Sequence, residues 1–228
     1  DVEDWYMDTD ISRWAEFEDR IVTSTNIVLS LLGDTKATFF LLGYVAEHHP
    51  ELVSQIHDAG HEVGTHGYCH KPISMLTPLQ FEEDLLKSIN IIEYITGERV
   101  YGHRACQFTV MKSTAWSVDI MVKCGLLYDS SVFPVKTQLY GVPDAPLFPY
   151  RISSEHLCGG SDKGILELPL SVYHMPFMNL PIAGGFYLRF FPYWFIKNSI
   201  KKVNKQSMPA VMYLHPWEFD VKQPKIPE

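Results

Sequence analysis

Two histidines, His66 and His70, stand four residues apart in the stretch GTHGYCHKP. Neutral imidazole nitrogens are common ligands of zinc and related divalent ions, and a carboxylate oxygen can complete such a site. On a helix this spacing would place both rings on one face, but Gly67 and the preceding alternating segment favour a loop or a short turn. Solvated loop histidines share the same spacing, so the metal hypothesis needs a third ligand from elsewhere in the chain.

Acidic residues are concentrated at the start of the chain, in DVED. Side chains alternate along an extended strand, so Asp1 and Glu3 point to one side and Asp4 points to the other. One carboxylate can bind a metal ion while another takes a proton from an attacking water. We predict Glu3 as the third ligand because it shares a face with Asp1, whereas a local bulge would favour Asp4 instead.

The stretch LHPWE places His215 at the end of an apolar run that we predict to be a strand. The following proline interrupts the hydrogen-bonding ladder and starts a loop. Histidine changes its charge near neutral pH, so His215 can act as a general acid. A histidine buried in the core with its hydrogen bonds satisfied is the alternative interpretation.

The elements that must position these residues alternate along the chain. After DVED, the predicted strands cover residues 36–42, 61–66, 100–104, 126–131, 165–172 and 210–216. The predicted helices cover residues 46–59, 77–97, 113–123 and 192–203. Thr77 and Gln80 form a capping box at the start of the clearest helix. This order predicts an α/β fold with a parallel sheet or barrel, in which polar residues at successive strand ends form one site.

Composition limits the classes of protein that the chain can represent. With 228 residues and 46% hydrophobic content, one domain over residues 1–228 is expected, and the opening without Met suggests trimming at both ends. The net charge of −8 argues against a nucleic-acid surface, and no apolar run reaches the roughly 18 residues of a membrane span. Four cysteines without CxxC spacing favour a reducing, cytoplasmic compartment over a secreted or periplasmic one. The oligomeric state is not determined by these features.

Further motifs follow in a fixed order: KATFFLLG, AGHEVGTHGYCH, HRACQF, YDSSVFP, LELPLS and YLHPWE. In this order the chain resembles the polysaccharide deacetylases of carbohydrate esterase family 4 over nearly its whole length. The variants DVED, RAxxF, DSSxFP and HPWE resemble the branch associated with bacterial exopolysaccharide and exosortase gene clusters.

The resemblance implies a distorted (β/α) barrel with fewer than eight parallel strands. It also implies metal-dependent, most simply Zn²⁺-dependent, hydrolysis of N-acetyl groups on amino sugars of a polysaccharide or lipid-linked oligosaccharide. Asp1 resembles the catalytic base, Arg104 the arginine that pairs with this base, and His215 the general acid. His66 and His70 resemble two metal ligands.

The same resemblance suggests which residues contact the glycan. A backbone N–H within residues 128–131 would hold the oxyanion, apolar side chains would line the acetyl pocket, and a flat ring would stack on a sugar. The expected substrate-binding residues are Tyr128, Asp129, Ser130, Leu168, Pro169, Leu214 and Trp217.

The first motif departs from the common form, which has two adjacent aspartates. Some relatives with altered first motifs hydrolyse small cyclic amides without metal, so a metal-independent cyclic amide or ureide hydrolase is one alternative. A non-catalytic carbohydrate-binding relative is another. Against the latter, Asp1, His66, His70, Arg104 and His215 are all present together.

Overall fold

The computed structural model of the chain describes residues 1–137 and 140–224. The α-helices are α1 (Ile21–Leu32), α2 (Gly43–His48), α3 (Pro50–Asp58), α4 (Pro78–Thr96), α5 (Ser117–Lys123), α6 (Gly185–Phe190) and α7 (Tyr193–Asn204). The strands are β1 (Thr38–Leu41), β2 (Glu62–Thr65), β3 (Gly102–His103), β4 (Tyr128–Asp129), β5 (Tyr150–Ile152), β6 (Ile165–Glu167), β7 (Val172–Met175) and β8 (Met178–Pro181). Within these ranges, none of the helices combines the length and apolar character needed to cross a bilayer.

The chain divides into two compact units. The first comprises Asp1–Lys71, Glu83–Gly102 and His215–Glu228, and the second comprises Pro72–Glu82 and His103–Leu214. The expectation of one catalytic domain over residues 1–228 stays a prediction.

Strands β1 and β2 of the first unit pair in parallel, as expected for consecutive strands joined by a helical connection. The connection consists of α2 and α3, whereas a single helix over residues 46–59 was predicted. The break falls at His49, whose backbone is not helical, because Pro50 lacks an N–H and disfavours helical geometry in the residue before it. Pro50 itself begins α3, a position that suits proline.

The long helix α4 begins and ends as its sequence predicts. The Gln80 N–H donates to the Thr77 hydroxyl at 3.3 Å, and the Thr77 N–H donates to the Gln80 side-chain oxygen at 3.0 Å. These reciprocal bonds satisfy donors that a helix start leaves without partners. Gly97 follows the helix with φ of +70°, the left-handed conformation of a C-terminal stop.

In the second unit, β6 lies between a parallel neighbour, β4, and an antiparallel one, β5. Strands β7 and β8 form a separate antiparallel hairpin. This unit contains a hydrophobic cluster, and its buried members are Phe108, Phe133, Val135, Leu170, Val172 and Ala183.

Two strand predictions fail in the second unit. The predicted strand over residues 165–172 is two strands, β6 and β7, separated at Pro169, which has no N–H to donate to a ladder. The strand predicted over residues 210–216 is wrong. The Ser171 N–H donates to the Val211 carbonyl at 3.1 Å, but the Val211 N–H donates to the Ser171 hydroxyl at 2.8 Å and not to a carbonyl. The Ser171 side chain thus accepts the Val211 N–H, which in a β-ladder would bond to a strand carbonyl.

Three glycines of the connection between β5 and β6 lie in the left-handed region, and two of them form a useful contrast: Gly160 with φ of +88° and Gly164 with φ of +99°. A Cβ on Gly164 would lie 1.9 Å from the Ile152 carbonyl oxygen, whereas a Cβ on Gly160 would meet nothing within 4 Å. Glycine is therefore needed at position 164 for two reasons, the left-handed backbone conformation and the close approach to β5.

We expect Gly164→Ala to destabilise the protein more than Gly160→Ala. The backbone conformation costs either variant about 1–2 kcal/mol. Crowding against Ile152 adds about 1–3 kcal/mol to the first variant alone. Denaturant unfolding of both variants measures the difference, and equal losses of unfolding free energy would contradict the close approach.

Candidate metal centre and active site

Glu3, His66 and His70 meet in the first unit, and all three are buried. One ligand atom from each lies within 4.8 Å of the others. His70 Nε2 is 2.5 Å from Glu3 Oε2, and His66 Nε2 is 3.8 Å from the same oxygen. A carboxylate and two imidazoles arranged in this way are a common ligand set for a divalent ion.

The histidines face one another because of the loop that follows β2. Gly67 has φ of +74° and His70 has φ of +51°, so the chain turns twice through left-handed conformations without forming a helix. The predicted short turn is therefore present. A non-glycine residue in this conformation costs of order 1–3 kcal/mol, so the surrounding contacts must hold His70 there.

Asp84 of α4 supplies part of that support. Its carboxylate accepts hydrogen bonds from the N–H groups of Tyr68 at 2.7 Å and Cys69 at 3.1 Å, and from the Cys69 thiol at 2.7 Å. A Cβ on Gly67 would lie 2.9 Å from the same carboxylate, so the loop and α4 approach closely. Sequence reasoning missed Asp84, because no local pattern links α4 to a loop earlier in the chain.

The ring of His70 is oriented from its far side. Its Nδ1 is 3.0 Å from the Met7 carbonyl oxygen, which can only accept a hydrogen bond. The Nδ1 therefore carries the proton, and Nε2 faces Glu3. A metal-binding histidine is usually held in this way by a second partner that sets its tautomer.

The Glu3 carboxylate is the test of whether the site fits a cation. Its Oε2 is buried and makes no hydrogen bond within the described part of the chain, although an imidazole nitrogen lies 2.5 Å away. Burial by itself raises the pKa of Glu3, but His70 and His215 outweigh it and hold this pKa well below its usual range. A buried, ionised oxygen without a hydrogen bond fits a bound divalent ion.

His215 faces the same carboxylate. Its Nε2 is 3.3 Å from Glu3 Oε1 and 3.9 Å from Asp1 Oδ2. Its Nδ1 is 2.7 Å from Glu218 Oε1, and its ring stacks on Trp217. Glu218 also escaped sequence reasoning, although HPWE contains the signal: in a 3-10 helix, here Pro216–Phe219, residues three apart align.

The start of the chain has the predicted alternation. The Val2 N–H donates to the carbonyl of Phe40 in β1, and the side chains of Asp1 and Glu3 both face His215. Asp4 points away, and its two carboxylate oxygens accept the N–H groups of Trp5 at 2.8 Å and Arg20 at 2.6 Å. The alternative ligand Asp4 thus bonds to backbone N–H groups and not to the histidines, in agreement with the alternation of side chains along an extended segment.

Burial, more than the neighbouring Asp19, raises the pKa of Asp4 to about 6. The two backbone N–H groups act in the opposite direction and stabilise its ionised form. Asp4 therefore closes the turn that follows DVED and does not take part in the histidine cluster.

Arg104 lies in the second unit and is buried. Its guanidinium donates to the Ser130 carbonyl and to the Ser130 hydroxyl, both at 2.8 Å. Burial lowers the pKa of Arg104 to about 10, so this side chain is charged at neutral pH. The expected pairing of Arg104 with Asp1 stays a prediction.

Asp129 occupies a different place from the one expected of a substrate contact. Its side chain is fully buried, and Oδ1 is 2.7 Å from both His103 Nδ1 and the Ser131 hydroxyl. Burial and the neighbouring Asp129 raise the pKa of Glu167 well above its usual range, which favours its protonated form. This buried cluster includes His103 and Glu167, which sequence reasoning did not single out.

The backbone around Asp129 is also engaged. The Ser130 N–H donates to the His103 carbonyl at 2.9 Å, and the Leu168 N–H donates to the Asp129 carbonyl at 2.8 Å. The Ser130 N–H is thus already bonded, and the expectation that a backbone N–H within residues 128–131 holds the oxyanion stays a prediction. Of the remaining expected substrate contacts, Pro169 is buried, and the half-buried ones are Tyr128, Leu168, Leu214 and Trp217.

Two family models match the chain. Residues 11–126 match a family described as "Polysaccharide deacetylase", and residues 130–228 match one described as a domain of unknown function, DUF3473. The first match contains His66, His70 and Arg104 and begins after DVED.

Individual proteins are similar over parts of their length. Over 105 residues the chain is 35% identical to a peptidoglycan deacetylase-like protein from Gibberella zeae. This alignment covers 46% of the present chain and 30% of the relative. A solved structure from Mycobacterium smegmatis is described as a polysaccharide deacetylase. Its alignment covers 86% of this chain and 63% of the solved chain, with 22% identity and a TM-score of 0.58. The PuuE allantoinase structure matches 93% of this chain and 61% of its own, with 19% identity and a TM-score of 0.60.

The chain therefore spans about a third of the curated relative and about three-fifths of the two solved chains. At these identities the two structures show the fold alone, and they confirm the predicted fold class. The polysaccharide deacetylase model accounts for half of the residues, including the histidine pair. The chain belongs to the polysaccharide deacetylase family.

Proposed function

We propose that the chain is a metal-dependent hydrolase that removes N-acetyl groups from amino sugars of a glycan. The observation that supports it most directly is the convergence of Glu3, His66 and His70, with His215 facing the same carboxylate. Such a group places a cation site beside two candidates for proton transfer, Asp1 and His215. Amide hydrolysis needs both functions, because water is a weak nucleophile and an amine is a poor leaving group.

The ion that best suits the ligands is zinc. Two imidazoles and a carboxylate are the protein ligands of several catalytic zinc sites, which keep a position open. When bound there, a divalent ion lowers the pKa of water and polarises a carbonyl group. Glu3, His66 and His70 would hold it, and the Met7 carbonyl would orient His70.

The proton transfers can be assigned to residues of this chain. Asp1 takes a proton from the attacking water, whose oxygen bonds to the acetyl carbon. His215 gives a proton to the sugar nitrogen as its bond to this carbon breaks, so that acetate and a free amine result. The Glu218 carboxylate accepts the Nδ1 proton of His215 and leaves Nε2 as the nitrogen that transfers the proton.

The substrate follows from the family and not from the geometry. The similar fungal protein is named peptidoglycan deacetylase-like, and peptidoglycan contains N-acetylated amino sugars, so a wall glycan, an exopolysaccharide or a lipid-linked oligosaccharide is a suitable substrate. The assignment to the exopolysaccharide-associated branch and the cytoplasmic localisation stay predictions. Metal-independent hydrolysis of a cyclic amide and a purely carbohydrate-binding role are the alternatives that the following experiments exclude or support.

Replacing His70 with Ala should abolish stoichiometric zinc binding and the deacetylase activity, because one of three ligands is lost. The matched control is His156→Ala, which removes an exposed imidazole and should change neither. Zinc per chain is measured by elemental mass spectrometry after dialysis, and acetate release is measured on an N-acetylglucosamine oligomer.

The choice of carboxylate is tested in the same way. Glu3→Gln should lose zinc. Asp4→Asn should retain it, because Asp4 bonds to the N–H groups of Trp5 and Arg20 and not to the histidines, although the Asn side chain keeps only one of these two acceptor oxygens. Retention of zinc by Glu3→Gln would contradict the assignment. Full wild-type hydrolysis in excess chelator would contradict the metal dependence and favour the metal-independent alternative.

Replacing His215 with Ala should slow amide hydrolysis by ~10²–10⁴-fold, the usual value of a general acid. An aryl acetate, whose leaving group needs no proton, should be affected much less. Glu218→Gln keeps the shape of the partner but removes its charge, so it should slow the amide reaction by roughly tenfold. Steady-state rates on both substrates give the two ratios for each variant.

Zinc content separates this role from metal binding. Both variants should retain zinc, because the three ligands remain. Equal losses of rate on the amide and the ester would show that His215 does not protonate the leaving group. Loss of zinc in His215→Ala would make it a ligand and overturn the assignment.

A further inference from the structure

The second unit exposes an aromatic surface that its own core does not use. On α6 and the first turn of α7, Phe186 is 63% exposed, Phe190 68%, Tyr193 76% and Trp194 65%. Large apolar side chains concentrated in this way on a protein surface usually mark an interaction site.

The rings of this aromatic surface are continuous. Phe186 and Phe190 stack with their centroids 5.9 Å apart, Phe190 meets Phe191 at 5.0 Å, and Phe191 meets Phe195 at 5.0 Å. Trp194 lies 6.1 Å from Phe195. The helices pack inward through other residues, Gly185, Ile196 and Ser199, which are buried. The outward rings are therefore not required to hold the helices in place.

Positive charge accompanies the rings. Residues 168–216 contain five basic residues and no acidic one, although the whole chain has a net charge of −8. Lys197, Lys201 and Lys205 follow Trp194 at helical spacing, and all are exposed. Arg189 is exposed between the two stacked phenylalanines in sequence. The surface thus combines an aromatic end with a basic stripe along α7.

A cavity lies beside the basic stripe. It has a volume of about 500 Å³, and its lining includes Lys202 and Lys205 together with the apolar side chains of Leu147 and Val172. The Lys202 ammonium lies 4.3 Å from the centre of the Tyr173 ring. Apolar walls with basic groups provide the contacts that an anionic amphiphile needs.

We propose that this surface docks onto a bilayer that contains anionic phospholipids. Tryptophan, tyrosine and phenylalanine insert favourably at the level of the headgroups, and lysine and arginine attract the phosphate charges. A second copy of the chain would bring five like charges against five, which opposes self-association. The proposal concerns other residues than those of the metal centre and does not depend on the proposed reaction.

The test is co-sedimentation of the purified chain with lipid vesicles. Binding should be strong to vesicles of phosphatidylcholine mixed with phosphatidylglycerol, weak to phosphatidylcholine alone, and reduced by high salt, because the attraction is partly electrostatic. Lys197→Gln with Lys201→Gln should lower the partition coefficient roughly 25-fold, at about fivefold for each charge. Phe190→Ser with Trp194→Ser should lower it by at least about tenfold.

Matched controls come from the rest of the surface. Tyr94→Ser removes a side chain that is 90% exposed on α4, and Lys163→Gln removes an exposed charge, so neither should change binding. Circular dichroism and thermal unfolding of every variant confirm that the fold is retained. Equal losses in the controls, or equal binding to both kinds of vesicle, would overturn the proposal.

The same series of variants distinguishes a membrane from two other partners, a second copy of the chain and a soluble glycan. Sedimentation velocity without lipid would reveal self-association that Phe190→Ser with Trp194→Ser abolishes, which would assign the surface to a second copy. Salt-sensitive binding to a soluble anionic polysaccharide, with no binding to vesicles, would assign it to a glycan. Either result would overturn the membrane assignment.

Discussion

A buried carboxylate surrounded by imidazoles is the constraint on which the site depends. Glu3 lies among His66, His70 and His215, at distances of 2.5 to 3.8 Å from their Nε2 atoms. An ionised carboxylate out of water is costly unless nearby positive charge compensates it, and removal of one partner from a buried ion pair typically costs about 3–5 kcal/mol. A bound cation or protonated imidazoles can both supply this charge, so the same geometry links metal binding to stability.

Hydrogen bonds to neighbouring groups hold the histidines of the site in position. The Met7 carbonyl fixes His70, Glu218 fixes His215, and Asp84 accepts two N–H groups of the loop between the first two histidines. None of these three partners belongs to the cluster itself. Each determines where a ring points, which is how a small number of hydrogen bonds can prearrange a reactive site.

Sequence reasoning succeeded where the interaction is local or periodic. The capping box of α4 lies within four residues, and the two-residue period of a strand was enough to direct Glu3 and Asp4 to opposite sides. It failed where distant segments decide. The Val211 N–H bonds to a serine hydroxyl and not to a strand carbonyl, and the Asp129 side chain bonds to His103 in the core. No property of the residues around them in sequence reveals these partners.

The central claim, that Glu3, His66 and His70 bind one catalytic metal ion, is tested most directly by anomalous diffraction. Crystals of the zinc-loaded protein should show one anomalous peak at the zinc edge, about 2.0–2.2 Å from a nitrogen of each histidine and an oxygen of Glu3. His215 should lie outside bonding distance of the peak. A zinc-loaded crystal without a peak there, or with the peak bound by Asp4 or His215, would contradict the account.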